Sequence, residues 1–258
     1  MSTRDEQKWP STLWIVRHGQ SAGNVARDAA LAAKQPIIDI AHRDMDVPLS
    51  ELGERQARAL GHWFARAPAE RRPTVILSSP YVRALETAEL ACEAAGFDRD
   101  DPPLIPDERL REKEFGILDR LTRFGIMARH PEQSELRRRL GKFYHRPPGG
   151  ESWCDVILRL RSVIDTITRE YAREHVMIVC HSVVVLCFRY LLERMTEAEI
   201  LAIDREDEVA NCAVTSYEFD PDLGRKGKLA LRLYNFVAPL EEAGEEVTRA
   251  PDANVAPR

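Results

Sequence analysis

Two arginines and two histidines in this chain stand where apolar runs end, and together they could grip and attack a phosphoryl group. Arg17 and His18 close the run 12–16, Arg83 follows the run 74–77 after Ser78-Ser79-Pro80, and His181 closes the run 176–180. Guanidinium groups present forked N–H donors that match phosphate oxygens and hold their charge at any working pH. A neutral imidazole is a competent nucleophile near neutral pH. The histidines show no HxH or HxxxH spacing, so metal binding on one strand or helix is not indicated. No metal and no cofactor is expected.

Taken singly, each residue has a plainer role. A lone arginine is by default a solvated surface group, and a histidine between two apolar runs, such as His181, is by default a satisfied core residue. The case rests on convergence. In an open α/β sheet, ligands sit beyond the carboxyl ends of the strands, which is where these four residues fall.

The elements that must position them follow from patterning. Residues 12–16, 74–77 and 176–180 are short, apolar and rich in β-formers, the signature of strands buried on both faces. Ser50 precedes Leu52, Leu60 and Phe64 as a helix N-cap. Residues 81–95 predict a helix stopped by Gly96. Val156, Leu160, Val163, Ile164, Ile167 and Tyr171 trace one buried helical stripe, and 182–194 predicts a further helix. Residues 212–219 and 229–236 flank a glycine-bearing turn and predict a hairpin. The expected architecture is a three-layer α/β/α fold with a mostly parallel central sheet.

The 258-residue chain is 44% hydrophobic and 31% charged, with a net charge of -5. Chains of this length bury roughly three quarters of their unfolded surface and need no staples. Five cysteines, an odd number with no CxxC pair, fit a disulfide framework poorly and point to a reducing, cytoplasmic setting. The acidic balance argues against nucleic acid as a partner. Residues 1–10 lack the apolar core of a signal peptide. The longest apolar stretch, 183–188, falls far short of the roughly 20 residues that a membrane span needs.

Residues 1–238 are expected to form a single domain. Within it, 117–149 carries eight basic and three acidic residues, a local excess of +5. It is expected as a cap or lid beside the site, with substrate steering and a plain solvated face both open. Residues 239–258 are rich in Glu, Ala and Pro and are expected to be a disordered acidic tail, with a short helix over 240–247 as the alternative.

Arg17-His18-Gly19-Gln20-Ser21, with Asn24 following, resembles the opening motif of the histidine phosphatase superfamily, which includes cofactor-dependent phosphoglycerate mutases and the fructose-2,6-bisphosphatase domain. The resemblance continues in order through Pro48-Leu49-Ser50-Glu51-Leu52-Gly53, Ser78-Ser79-Pro80, Arg83-Ala84, Thr87-Ala88, Leu110-Arg111-Glu112, Gly149-Gly150-Glu151-Ser152 and Val179-Cys180-His181. It implies a phosphoglycerate mutase-like fold. It also implies His18 as the nucleophile that becomes phosphohistidine, with Arg17, Asn24 and Arg83 binding the phosphoryl oxygens and His181 adding a donor. Glu112 is implied as general acid and then base, with Glu114 its competitor in the same charged run. Two positions depart from the usual pattern: Ser182 stands where many members carry glycine, and Gln20 replaces a common glutamate.

The expected activity is therefore hydrolysis of phosphate monoesters, on a phosphorylated small molecule or phosphoprotein, with no membrane partner and a homodimer left open. Within the family it resembles, a mutase usually has a longer segment between the acid motif and the glycine turn than the one after Gly116, which tilts the reading toward hydrolysis. The alternatives are phosphoglycerate mutase-type transfer and a non-catalytic binder of phosphorylated ligands.

Overall fold

A computed structural model describes residues 7–98 and 101–249. The chain runs β1 (Thr12–Arg17), α1 (Ala22–Ala32), α2 (Glu51–Ala65), β2 (Val75–Ser78), α3 (Val82–Ala95), β3 (Leu104–Pro106), α4 (Arg123–Arg129) and α5 (Pro131–Leu140). It continues α6 (Trp153–Glu170), β4 (His175–Cys180), α7 (Ser182–Leu192), α8 (Glu197–Glu206), β5 (Val214–Asp220), β6 (Lys228–Phe236) and α9 (Ala238–Ala243). The strand order is β3-β2-β4-β1-β5-β6. β3, β2, β4 and β1 are parallel, while β5 runs antiparallel to β1 and β6 to β5. This is the expected three-layer α/β/α fold with a mostly parallel sheet.

Alternation along the strands sorts the two cores. Leu13, Ile15, Val176 and Ile178 face α6 and α7, packing with Leu160, Val163 and Phe188. Trp14, Val16, Met177 and Val179 face the other way, onto Leu60, Phe64, Ala84 and Ala88 of α2 and α3. With both faces covered, β4 is buried from Val176 to Cys180, which is why its sequence is continuously apolar. α2 and α3 approach closely at Gly61, where a Cβ would lie 2.2 Å from the carbonyl oxygen of Ala91.

The predicted helix caps are present: the Ser50 side chain accepts from Gly53 N–H, and Gly96 ends α3 in the left-handed region at φ 70°. The predicted hairpin is β5–β6. The 117–149 segment, to which the sequence assigned no elements, contains two helices, α4 and α5. One expectation changes. Residues 239–249 do not form a disordered tail: α9 buries Pro239 and Leu240, with Leu240 in a small core beside Ala57 and Ala59 of α2. A single well-placed leucine and proline seat this helix, so its low apolar content misleads. Residues 250–258 lie outside the described residues. Among those described, no helix is long and apolar enough to cross a membrane.

Candidate active site

The strand register brings the motif residues to one edge. Arg17 pairs with Cys180, and Ser78 with Val179, so β1, β2 and β4 end side by side and bring His18, Ser79 and His181 together, with His18 at the cavity wall and Ser79 and His181 fully buried behind it. The rings of His18 and His181 lie 5.1 Å apart, edge to face. Arg83, on the first turn of α3, reaches the same point, and its Nε lies 3.3 Å from His18 Nε2.

The geometry fixes the tautomer of His18. Its Nδ1 lies 2.7 Å from the Gly19 carbonyl oxygen. A carbonyl only accepts, so Nδ1 carries the proton and donates it. Nε2 is then the lone-pair nitrogen, and Arg83 Nε–H points at it as a donor. Burial, reinforced by the charges of Arg83 and Arg17, holds this imidazole well below its usual pKa of 6.5. His181 is fully buried, and burial followed by the Arg83 charge lowers it likewise. Its Nε2 lies 2.8 Å from Ser79 Oγ, and its Nδ1 has no hydrogen-bond partner among the described residues.

The loop carrying His18 is held from several sides. Gly19 N–H donates to Thr87 Oγ1, which donates in turn to the Arg83 carbonyl. A Cβ on Gly19 would lie 2.6 Å from the Gly53 carbonyl oxygen, and one on Gly53 1.9 Å from that of Gln20. Only paired glycines allow this loop to lie against the start of α2. Gln20 Oε1 accepts from Ser50 Oγ at 2.7 Å. The amide that replaces the common glutamate thus ties the loop to the cap of α2.

A cavity of about 150 Å³ opens over these groups, with Arg17, His18, Asn24, Arg83, Glu112 and Ser182 in its wall. Asn24 Oδ1 accepts from Ser21 N–H and Oγ within the α1 capping box, which leaves its amide N–H₂ as the group able to donate to a ligand. Ser182 is the first residue of α7, whose N-cap is His181 rather than the serine, so the start of that helix also faces the cavity. Helix N-termini favour anions. A larger groove of about 770 Å³, lined by Trp9, Tyr190 and Arg225, contains none of these groups, and the chemistry selects the smaller cavity.

The two candidate acids part company. Glu112 is buried, lines the cavity and accepts from Lys113 N–H at 2.8 Å. Glu114 accepts from the Tyr81 hydroxyl at 2.8 Å and does not line the cavity. The turn bearing Glu151 anchors this stretch. Glu151 pairs with Arg111 and Arg159, and Arg159 donates to the carbonyls of Arg109 and Glu112.

Of residues 117–149, Leu118, Asp119, Arg120 and Leu121 form cavity wall. Arg138 pairs with Glu135 inside the segment, while Lys142 and Arg146 pair with Asp204 and Asp155 outside it, so two of the five excess positive charges are met by carboxylates away from the cavity. Two residues of the site lie outside every motif: Asp44, which pairs with Arg83, and Asn211, whose Nδ2 donates to the His18 carbonyl at 3.0 Å. No local signal marks either one. Ser79 and Thr87 lie inside recognised motifs, so their positions were visible but their partners were not.

Comparison with known proteins gives concordant results. The model of the histidine phosphatase superfamily (branch 1) matches residues 13–230. The chain is 28% identical to 2,3-bisphosphoglycerate-dependent phosphoglycerate mutase 2 of Gloeobacter violaceus, covering 92% of this chain and 98% of that one. It is 30% identical to 6-phosphofructo-2-kinase/fructose-2,6-bisphosphatase of Gallus gallus over 73% of this chain, but only 34% of that protein. Among solved structures, Bacillus stearothermophilus YhfR aligns with a TM-score of 0.68 at 26% identity, over 88% of this chain and 98% of that one. Mycobacterial glucosyl-3-phosphoglycerate phosphatase in complex with VO3 aligns with a TM-score of 0.66 at 26% identity, over 88% of this chain and all of that one.

Proposed function

Because this chain belongs to the histidine phosphatase superfamily (branch 1), we propose that it hydrolyses phosphate monoesters through a phosphohistidine on His18. The observation that carries the proposal is the state of that imidazole. Its proton is fixed on Nδ1 by Gly19, and Nε2 stands unprotonated between the Arg83 guanidinium and His181.

In the first step Nε2 attacks phosphorus and the bond to the ester oxygen breaks. Arg17, Arg83, His181 and the Asn24 amide meet the charge spread over the three phosphoryl oxygens. Glu112 gives the leaving oxygen its proton. In the second step Glu112 takes a proton from water, the water oxygen attacks phosphorus, and the P–N bond breaks to release inorganic phosphate. The cavity is smaller than common ligand pockets of about 300–1,000 Å³. Ile38, Ile40, Val47 and Phe115 add an apolar wall beside the charged Arg27, Asp119 and Arg120, which supports a small substrate. In this reading 117–149 acts as the cap of a single catalytic domain.

The extensive match to the Gloeobacter violaceus mutase favours a second reading, phosphoryl transfer between positions of phosphoglycerate. One panel separates them. Purified protein is given a set of phosphorylated metabolites, and phosphoglycerate with catalytic bisphosphoglycerate. Phosphate release that His18→Ala abolishes supports hydrolysis; isomerisation without release supports transfer.

A further inference from the structure

The segment after α9 returns to the back of the nucleophile. Thr248 Oγ1 donates to Asn211 Oδ1 at 3.0 Å, and the Thr248 carbonyl accepts from Asn211 N–H at 2.9 Å. Asn211 is fully buried, and its Nδ2 donates to the His18 carbonyl. Gln56, also fully buried, donates from Nε2 to the Glu246 carbonyl at 2.8 Å and lies 3.1 Å from Thr248 Oγ1, while its Oε1 accepts from Gln20 N–H. Two buried amides thus connect Thr248 to both sides of the catalytic loop, at His18 and at Gln20.

The 207–213 stretch completes the connection. Its Val209 carbonyl accepts from Arg17 Nη1 at 2.5 Å, and Cys212 N–H donates to the Arg17 carbonyl. The same stretch is held by Asn235, which donates to Asp207 and accepts from Ala210 N–H, and by Arg249, 3.7 Å from Asp207. Both motif residues Arg17 and His18 therefore rest on a loop that the C-terminal segment grips in turn.

We propose that residues 245–249 form a strap that positions the nucleophile, with Thr248 as its positioning residue. Thr248 acts through Asn211 and Gln56 and touches neither cavity nor substrate. A buried side-chain amide has one satisfied arrangement here. Holding Asn211 and Gln56 in it keeps His18 Nε2 in line for attack, where small displacements cost large factors in rate. The proposal rests on His18 being the nucleophile.

The test compares full-length protein with Thr248→Val, Thr248→Ser and a chain ending after Gly244, which keeps α9 and Leu240. The measurements are steady-state kinetics, the rate of phosphoenzyme formation and Tm. Expected results are a kcat about tenfold lower in Thr248→Val and in the truncated chain, slower phosphoenzyme formation, KM nearly unchanged, and recovery in Thr248→Ser. Wild-type kcat in the truncated chain would overturn the proposal. So would a kcat loss that follows a fall in Tm and is equal in Thr248→Ser, because that pattern marks a purely structural contact. Activity surviving in His18→Ala would instead remove the reading of His18 on which the strap depends.

Discussion

Asp44 and Arg83 form an ion pair in the wall of the cavity. Arg83 Nη1 lies 3.1 Å from Asp44 Oδ1 and donates to the Asp44 carbonyl at 2.5 Å, while Nη2 donates to Oδ2 at 3.3 Å. The Arg83 side chain is 6% exposed and that of Asp44 41%. The guanidinium thus turns one edge to His18 and the other to a half-solvated carboxylate.

A phosphoryl dianion on His18 would compete with Asp44 for those Nη groups. Solvent screens the pair, so the competition is worth at most about 1 kcal/mol. Asp44→Asn is expected to lower KM for p-nitrophenyl phosphate by up to about fivefold, with kcat little changed. A higher KM would mean that Asp44 orients Arg83 and does not compete with substrate.

The placement of Glu112 and Glu114 yields a second prediction. A general acid matters when the leaving group is poor, and it contributes about 10²–10⁴-fold. Glu112→Gln should slow hydrolysis of an alkyl phosphate by a factor of that order, and of p-nitrophenyl phosphate far less. Glu114→Gln removes the acceptor of the Tyr81 hydroxyl and should leave the alkyl-to-aryl ratio of kcat/KM unchanged. If that ratio collapses in Glu114→Gln alone, the proton donor has been misassigned.

Buried neutral histidines make stability depend on pH. His18 and His181 are held well below 6.5, and burial, followed by Arg137 and Lys113, pushes His145 down to about 4. Below 6.5 the unfolded chain takes up protons at these positions that the folded chain does not. Stability is therefore complete above the unfolded value and is lost as pH falls toward the folded ones. Tm should drop between about pH 7 and about pH 5. His145→Asn, away from the chemistry, should drop by less. Equal drops in both proteins would show that His145 is not part of the linkage.

Much of this site is legible in the chain because its chemistry sits at strand ends. A run such as 176–180 declares both its burial and its end, and β1, β2 and β4 then deliver His18, Ser79 and His181 by register alone. Other features left no local trace. β3 has three residues at the sheet edge, two of them exposed, so it shows no alternation. α5 is polar almost throughout, with Gln133 its one buried residue. Thr248 and Asn211 are 37 residues apart, and Gln56 and Thr248 192. Hydrogen bonds at such separations are set by the finished fold and cast no pattern in sequence. The polar composition after residue 238 reads as a tail because its anchors are hydrogen bonds and three scattered apolar residues, Pro239, Leu240 and Val247.

The central claim is that phosphorus becomes bonded to His18. Rapid acid-free quench of enzyme with radiolabelled phosphate ester, followed by proteolysis and mass spectrometry, tests it directly. The expected result is a base-stable, acid-labile phosphoprotein that forms within the first turnover, with the label on the peptide holding His18, and its absence in His18→Ala. A labelled adduct that persists in His18→Ala, or full turnover by that variant, would contradict the account.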